Sequence, residues 1–190
     1  KREAGIKWYE SAHKAADMLQ TVDTEGAATF YSFSGDAARE MFWLTREARF
    51  GERAFDDYMT SASWNHVRNH GHSVRTYEHA GKIAREMLAT AASVQERLKW
   101  ADRVYSSNSA VADDRGVDIE SRVRANGHAG DGARVRYELT QDKGWAVDAL
   151  GRYKSVLDHY KSAAQTPSWL NKIPGYVSVL EARTQDIGTK

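Results

Sequence analysis

Apolar side chains recur at helical spacing along most of the 190-residue chain. In residues 3–20, and again in 143–164, they follow one another at intervals of three and four positions, which places them on one face of a helix. Weaker versions of the pattern occupy the sequence between them, interrupted by Gly and by polar stretches. Helices are therefore predicted over residues 3–20, 36–50, 54–61, 74–105 and 143–164.

The predicted helix over 143–164 offers the clearest candidate core face. Trp145, Leu150, Leu157 and Tyr160 fall on related turns of this helix. Because side chains three and four positions apart share a helical face, we expect these four side chains to be largely buried.

Short polar and small residues mark the expected helix ends. Asp36 is a good N-cap for the second helix, since its carboxylate can accept a hydrogen bond from the first turn. Gly51 is a plausible C-cap for the same helix. Gly81 is a weak point inside the long helix predicted over 74–105.

Three segments depart from the helical pattern and predict short strands. Residues 29–35 form an aromatic, β-prone run that ends in Ser and Gly. Residues 133–140 alternate small or apolar side chains with polar ones, which is the period of a strand, and 176–180 are rich in Val. The predicted fold class is therefore α+β and predominantly helical, with a small sheet in the C-terminal half.

The chain is expected to form a single domain over 1–190, which is long enough for one substantial core. Its helical part extends to about residue 105 and is followed by a loop-rich link over 106–132, where Ser, Asn, Asp and Gly are frequent. A strand–helix–strand part completes the domain over 133–190. No internal repeat is evident in the sequence.

Charge and cysteine content exclude several classes of function. The 27 basic residues nearly balance the 26 acidic ones, so no net field favours nucleic acid or an anionic membrane. No apolar run approaches the roughly 20 residues of a membrane-spanning helix. The chain contains no Cys, which excludes disulfides, thiolate zinc sites and Cys nucleophiles.

The same features suggest an origin. A chain without Cys is compatible with a bacterial or phage protein. The absence of an initial Met suggests a processed domain, expected to be soluble and either secreted or delivered to another cell.

A cluster of histidines could bind a metal. His66 and His70 are four positions apart, which on a helix would place both imidazoles on one face, and His72 and His79 follow. Gly71 is expected to end any helix here, and no acidic residue stands between the first two histidines as in a metalloprotease motif. The alternative, a polar turn that contains histidines, is favoured, and no metal site is predicted.

Glycine is also concentrated over residues 127–132. The spacing matches neither a phosphate-binding P-loop nor a dinucleotide fingerprint, and the segment precedes a predicted strand. A flexible loop is therefore predicted here.

Aromatic and acidic residues spread along the chain form the strongest candidate for chemistry. Phe30, Tyr31 and Ser32 lie together on the first predicted strand, and acidic residues follow about twenty positions later. Isolated tryptophans come next, and a glutamate lies on the strand predicted over 133–140. The candidate residues are Tyr31, Ser32, Glu52, Trp64, Trp100 and Glu138.

This order of residues resembles the ADP-ribosyl cyclase and NAD glycohydrolase family over about residues 29–140. The family has a strand ending Phe-Trp-Ser, an acidic residue, pocket tryptophans and a catalytic glutamate on a later strand. The resemblance implies that Glu138 is the catalytic carboxylate and that Glu52 is the second acidic residue. Tyr31 would replace the first pocket tryptophan and Trp100 would be the second.

The resemblance implies an enzyme that cleaves the nicotinamide–ribose bond of NAD, with Ser32 and Trp64 also contacting the substrate. A carboxylate can stabilise the oxocarbenium-like centre that forms in such a reaction, so no cofactor besides the substrate NAD and no metal is implied. The enzyme could be a bacterial toxin domain with an immunity or partner protein. The alternative function is a non-enzymatic, mostly helical structural or interaction module, such as a phage or virus particle component or an adaptor.

Overall fold

The computed structural model describes residues 2–65, 69–161 and 166–184, and these ranges contain helices and their connections but no strand. The predicted α+β fold with a small sheet is therefore wrong, and the described part of the chain is all-α. A short 3₁₀ helix, Ser168–Lys172, precedes the last α-helix. The α-helices are α1 (Arg2–Leu19), α2 (Thr24–Thr45), α3 (Ala48–Asn65), α4 (His70–Thr90), α5 (Val94–Ala112), α6 (Ile119–Thr140), α7 (Lys143–Tyr160) and α8 (Ile173–Thr184).

All three segments predicted as strands lie inside helices. Residues 29–35 belong to α2, 133–140 to α6 and 176–180 to α8. β-propensity mainly reflects how a side chain packs against its neighbours, so tertiary contacts override it readily. In α2, small residues alternate with the aromatic ones and allow close packing on both sides; Ala27, Ala28, Ser34, Ala37 and Ala38 are all buried.

The expected loop-rich link is also mostly helical. Residues 106–112 complete α5 and 119–132 form the first half of α6, so only 113–118 connect the two helices. The glycines predicted to make a flexible loop are part of a helix–helix contact. A Cβ at Gly132 would lie 2.8 Å from the carbonyl oxygen of Ala101, which shows that α5 and α6 approach very closely here.

Several helix ends differ from the predicted ones. Asp36 lies in the middle of α2, whose N-cap is Asp23, accepting a hydrogen bond from the Gly26 backbone N–H at 2.9 Å. Gly51 and Gly81 lie within α3 and α4. The long helix predicted over 74–105 is divided at 91–93, where Ser93 and Glu96 form a capping box.

The chain divides into two compact units, Lys1–Thr90 and Ala91–Lys190. The first unit contains α1 to α4, and the second contains α5 to α8 with the 3₁₀ helix. Within each unit, helices that follow one another in the chain pack together. Each unit is thus a series of helical hairpins.

The central hairpin of each unit has the same construction. Helices α2 and α6 have 22 residues each, and α3 and α7 have 18 each. Both longer helices begin after an Asp N-cap, at Asp23 and Asp118, and end at a residue with left-handed backbone, Arg46 (φ 59°) and Gln141 (φ 58°). Corresponding positions are 95 residues apart. The structure therefore contains an internal repeat, which the sequence analysis missed.

A Gly–Asp pair forms the centre of both hairpins. In the first unit, Tyr58 covers Gly35, and its hydroxyl donates a hydrogen bond to Asp36 at 2.7 Å. In the second unit, the buried Tyr153 covers Gly130 and donates to Asp131, also at 2.7 Å. Because a side chain on either glycine would collide with the tyrosine ring, the absence of a Cβ lets the aromatic residue pack against the helix backbone.

The core face of α7 differs in part from the predicted face. Tyr160 is buried as expected, whereas Trp145, Leu150 and Leu157 are only partly buried. The residues that turn fully inward include small ones that carry little hydrophobic signal, which explains the error. They are Ala146, Ala149, Tyr153 and Val156.

Candidate functional site

A polar pocket of about 490 Å³ lies between α2, α3 and α4 of the first unit. Three residues of α2 face the pocket, at successive spacings of four and three positions, and three residues of α4 face it at spacings of three and four. Residues at these spacings share one face of a helix. One face of each helix therefore supplies charged or polar side chains to the same space. They are Ser32, Asp36 and Arg39 from α2, and His72, Arg75 and His79 from α4.

Hydrogen bonds fix the inner wall of the polar pocket. Asp36 accepts from the Tyr58 hydroxyl and lies 3.1 Å from Nη2 of Arg39. Nη1 of Arg39 is 2.7 Å from Nδ1 of His79. Because a guanidinium can only donate, Nδ1 of His79 must be the acceptor, so the imidazole is neutral and carries its proton on Nε2. Burial, together with the charge of Arg39, lowers the pKa of His79, in agreement with a neutral ring.

The outer wall is formed by His72 and Arg75. Nε2 of His72 lies 3.3 Å from the Ser61 hydroxyl oxygen. Burial, and then the charge of Arg75, lower the pKa of His72. Arg75 is exposed, and no salt bridge to it is found among the described residues. Its guanidinium is therefore available to a ligand.

In the second unit, larger aromatic side chains occupy two of the three corresponding positions. Trp169, Lys172 and Tyr176 repeat the spacing of the three α4 pocket residues, 97 positions later. The buried residues around them correspond as well: Ser73, Thr76, Ala80 and Ile83 in the first unit match Leu170, Ile173, Val177 and Leu180 in the second.

The two aromatic side chains, Trp169 and Tyr176, are packed against the central hairpin of the second unit. Trp169 lies against Gly127, where a Cβ would come within 2.9 Å of the indole ring. The Tyr176 ring lies tilted against Tyr153 with ring centroids 5.7 Å apart, much as the His79 ring lies tilted against Tyr58 at 5.2 Å in the first unit. Aromatic side chains of the second unit thus fill the place where the first unit has a polar pocket.

A second polar cluster in the first unit surrounds the buried carboxylate of Asp57. The Ser34 hydroxyl donates a hydrogen bond to it at 2.5 Å, and Nδ1 of His13 lies 3.1 Å from its other oxygen. Burial raises the pKa of Asp57 to about 6. We call Asp57, Ser34 and His13 the Asp57 cluster.

Two of the predicted substrate-binding residues lie beside the Asp57 cluster. Tyr31 packs edge-on against the His13 ring, and Trp64 packs edge-on against Tyr31 at a centroid distance of 5.4 Å. The Tyr31 hydroxyl donates to Asp17 at 2.7 Å. Ser32, the next residue, faces the polar pocket instead, because neighbouring positions on a helix point about 100° apart.

The other predicted site residues are distributed over both units. Glu52 is partly exposed on α3 of the first unit. Trp100 and Glu138 belong to the second unit, where Trp100 is buried on α5 and Arg103 lies over its ring at 4.6 Å. Glu138 forms an ion pair with Arg134 and borders a cavity of about 210 Å³. The roles assigned to these residues by resemblance stay predictions.

The structure describes part of the histidine cluster. His66 lies outside the described residues. His70 and His72 begin α4, so Gly71 does not end a helix and the expected turn is the first turn of this helix. Among residues 2–65, 69–161 and 166–184, no group of three or more His, Asp or Glu side chains is arranged to hold a metal ion.

Sequence reasoning missed Arg39, Arg75 and His79 as pocket residues. The signal that could have found them is the matching spacing of polar residues on two helices that pack against a common partner.

In the part of the chain that the structure describes, no helix is both long and apolar enough to cross a membrane.

Comparison with known proteins supports the helical architecture. The chain is similar to a de novo designed helical repeat protein of known crystal structure, with a TM-score of 0.53, 16% sequence identity and 100% of each chain covered. At this level of identity the likeness concerns the fold alone. No protein-family model and no curated protein matches this chain.

Proposed function

We propose that this chain is a non-enzymatic, helical-repeat adaptor module that binds a segment of a partner protein in the polar pocket of its first unit. The observation that carries the proposal is the difference between the two units at this position. Where the second unit packs Trp169 against its own helix, the first unit has His72 and leaves a cavity.

The lining of the polar pocket supports a binding role over a simple packing defect. Polar groups taken out of water without partners destabilise a fold, so a site that serves packing alone favours apolar side chains. The second unit follows this rule with Trp169 and Tyr176. The first unit instead places two imidazoles and two guanidinium groups around a space of about 490 Å³, which is within the usual size of ligand sites.

The second unit also indicates what kind of occupant fits. Its filling groups are amino-acid side chains carried by a short helical segment, Ser168–Lys172, and by α8. In the first unit α4 already lies where these elements lie in the second, so a peptide segment would instead insert a side chain of its own into the space that Trp169 fills in the second unit. Helical repeat proteins commonly present binding surfaces.

A pocket-filling variant tests the proposed function. Peptides selected from a random display library on the wild-type chain should bind it, and His72→Trp should weaken their binding at least tenfold, because the indole occupies the pocket as Trp169 does in the second unit. Fluorescence anisotropy with the selected peptides measures the change.

Two controls accompany this variant. Circular dichroism of His72→Trp must show wild-type helicity, and if it does not, Thr76→Phe supplies a second way of filling the same pocket. Val147→Trp, at an exposed position on α7 of the second unit, adds an indole at a distant site and should leave binding unchanged. Selected peptides that bind both pocket-filled variants as well as the wild type would refute the proposed function.

Incubation with NAD tests the non-enzymatic part of the proposal. We expect micromolar protein to release no nicotinamide above the rate of a buffer blank, measured by chromatography over several hours. Nicotinamide release that disappears in Glu138→Gln would overturn the proposal and favour the NAD-cleaving function implied by the family resemblance. Nicotinamide release that persists in Glu138→Gln would also overturn the proposal, and Glu52→Gln would be the next variant to measure.

A further inference from the structure

We infer that the polar pocket captures a side-chain carboxylate of an acidic partner segment, with the Arg75 guanidinium as its main donor. The inference rests on the proposed function and names the chemistry of the ligand. It follows from the charge balance of the pocket, from the donors that remain after the internal hydrogen bonds are made, and from a comparison of the two units.

The charge balance of the polar pocket leaves one positive charge. Among the lining residues, Arg39 forms an ion pair with Asp36, and it forms a second one with Glu40, which does not line the pocket, at 3.6 Å. His79 accepts a hydrogen bond from Arg39 and is therefore neutral, and the pKa of His72 is lowered as well. Arg75 remains as the one uncompensated charge among the six charged and polar residues described above. A single carboxylate matches this charge, whereas sites for dianionic phosphate groups usually contain a cluster of arginines.

Arg39 forms different ion pairs from those of its counterpart in the second unit. That counterpart is Arg134, which forms an ion pair with Glu138 on the next turn of α6. In the first unit the position of Glu138 is occupied by Trp43, and Arg39 lies over its ring at 5.0 Å. Arg39 instead directs its guanidinium to the carboxylates of Asp36 and Glu40.

The two units also differ in whether the cationic side chain at the position of Arg75 has an acidic partner. In the second unit Asp131 accepts a hydrogen bond from Lys172 at 3.2 Å, so the cation is used within the unit. In the first unit Asp36 is already paired with Arg39 and Tyr58, and Arg75, at the position of Lys172, has no acidic partner among the described residues. The first unit therefore has an arginine without an acidic partner at the position where Lys172 of the second unit is paired with Asp131.

The remaining donors fit a carboxylate. The planar guanidinium of Arg75 can give two parallel N–H bonds to the two carboxylate oxygens. Nε2–H of His79 and the hydroxyl of Ser32 are further donors that border the same pocket. The one carboxylate of the pocket lining, Asp36, accepts from Tyr58 and lies beside Arg39, both through Oδ1.

Three probes distinguish the possible ligands. The first is an eight-residue peptide of alternating Ser and Glu with blocked ends, the second is the same peptide with Gln in place of Glu, and the third is inorganic phosphate. We expect the Glu peptide to bind at least tenfold more tightly than the Gln peptide, since each charge-assisted pair adds about that factor. Ring signals of His72 and His79 in NMR spectra should shift during the titration, which locates the peptide in the pocket.

Arg75→Gln tests the role of the guanidinium. We expect it to weaken binding of the Glu peptide at least tenfold. Arg49→Gln is the matched control, because Arg49 is an exposed arginine of the same unit that forms an ion pair with Glu47 outside the pocket. It removes the same charge and should change affinity less than twofold. Equal losses in both variants would show only a general charge effect and would overturn the inference.

The outcomes separate this inference from the proposed function. Library peptides that depend on the open pocket but carry no acidic residues, or that bind Arg75→Gln as well as the wild type, would refute carboxylate capture and leave the adaptor module in place. Phosphate that shifts the same His signals at lower concentration than the Glu peptide would also refute it. Failure of every library peptide to respond to His72→Trp refutes the proposed function itself.

Discussion

Replacing Gly132 by alanine is expected to destabilise the second unit by about 2–3 kcal/mol, near the upper end for an overpacked core. The new methyl group would lie 2.8 Å from both the Ala101 carbonyl oxygen and the Tyr105 amide nitrogen. These are backbone atoms and cannot rotate away, so α5 and α6 would have to separate. Urea unfolding followed by circular dichroism measures the change in free energy.

Gly151→Ala is the matched control for this prediction. Gly151 lies on α7 of the same unit, and a Cβ there would meet no atom within 4 Å. Because alanine has the higher helix propensity, this variant should be stabilised by up to about 1 kcal/mol. A free energy of unfolding for Gly132→Ala equal to that of Gly151→Ala would show that the two helices are not in close contact at Gly132.

The Asp57 cluster should make the stability of the first unit fall as the pH rises from about 4 to 6. Burial raises the pKa of Asp57 to about 6 in the folded protein, whereas an unfolded aspartate titrates near 4. The folded state therefore binds the proton more tightly, and the stabilisation present below pH 4 is lost as the pH passes through 6. The loss attributable to Asp57 is about 3 kcal/mol.

Asp57→Asn should remove most of this pH dependence. The amide cannot ionise, and its oxygen can still accept the hydrogen bond from Ser34. We expect the variant to be more stable than the wild type at pH 7 and to have a flatter stability profile between pH 4 and 6, measured by urea unfolding. Asp56→Asn, at the exposed neighbouring position, should keep most of the wild-type slope. An unchanged slope in Asp57→Asn would assign the pH dependence to other groups.

The polar pocket and the Asp57 cluster show why the candidate site was only partly predictable. Tyr31 and Trp64 were selected as aromatic residues near acidic ones, and the structure does bring them together beside a buried carboxylate. That carboxylate is Asp57, which precedes Trp64 on the same helix, and not Glu138, which belongs to the other unit. Sequence order alone does not tell which acidic residue shares a surface with a given aromatic residue.

The internal repeat of the two central hairpins is also difficult to recognise from the sequence. The residues that define the repeat are few, such as the Gly–Asp pair at 35 and 36 and its counterpart at 130 and 131. Their significance is three-dimensional, because each glycine makes room for a tyrosine from the next helix. A single sequence contains these residues but does not show that they meet the same partner.

The sequence by itself determined where the strongest helices lie. The helix predicted over 3–20 agrees closely with α1, and the helix predicted over 143–164 agrees with α7 as far as residue 160, whereas residues 162–164 lie outside the described residues. The agreement arises because the spacing of apolar residues along a helix is a local property of the chain. Tertiary structure decided the rest. It made residues 29–35 helical against their β-propensity, and it selected Ala146, Ala149 and Tyr153 as the core face of α7. The physical reason is that burial is set by neighbours distant in sequence, whose positions follow from helix packing and not from the local pattern.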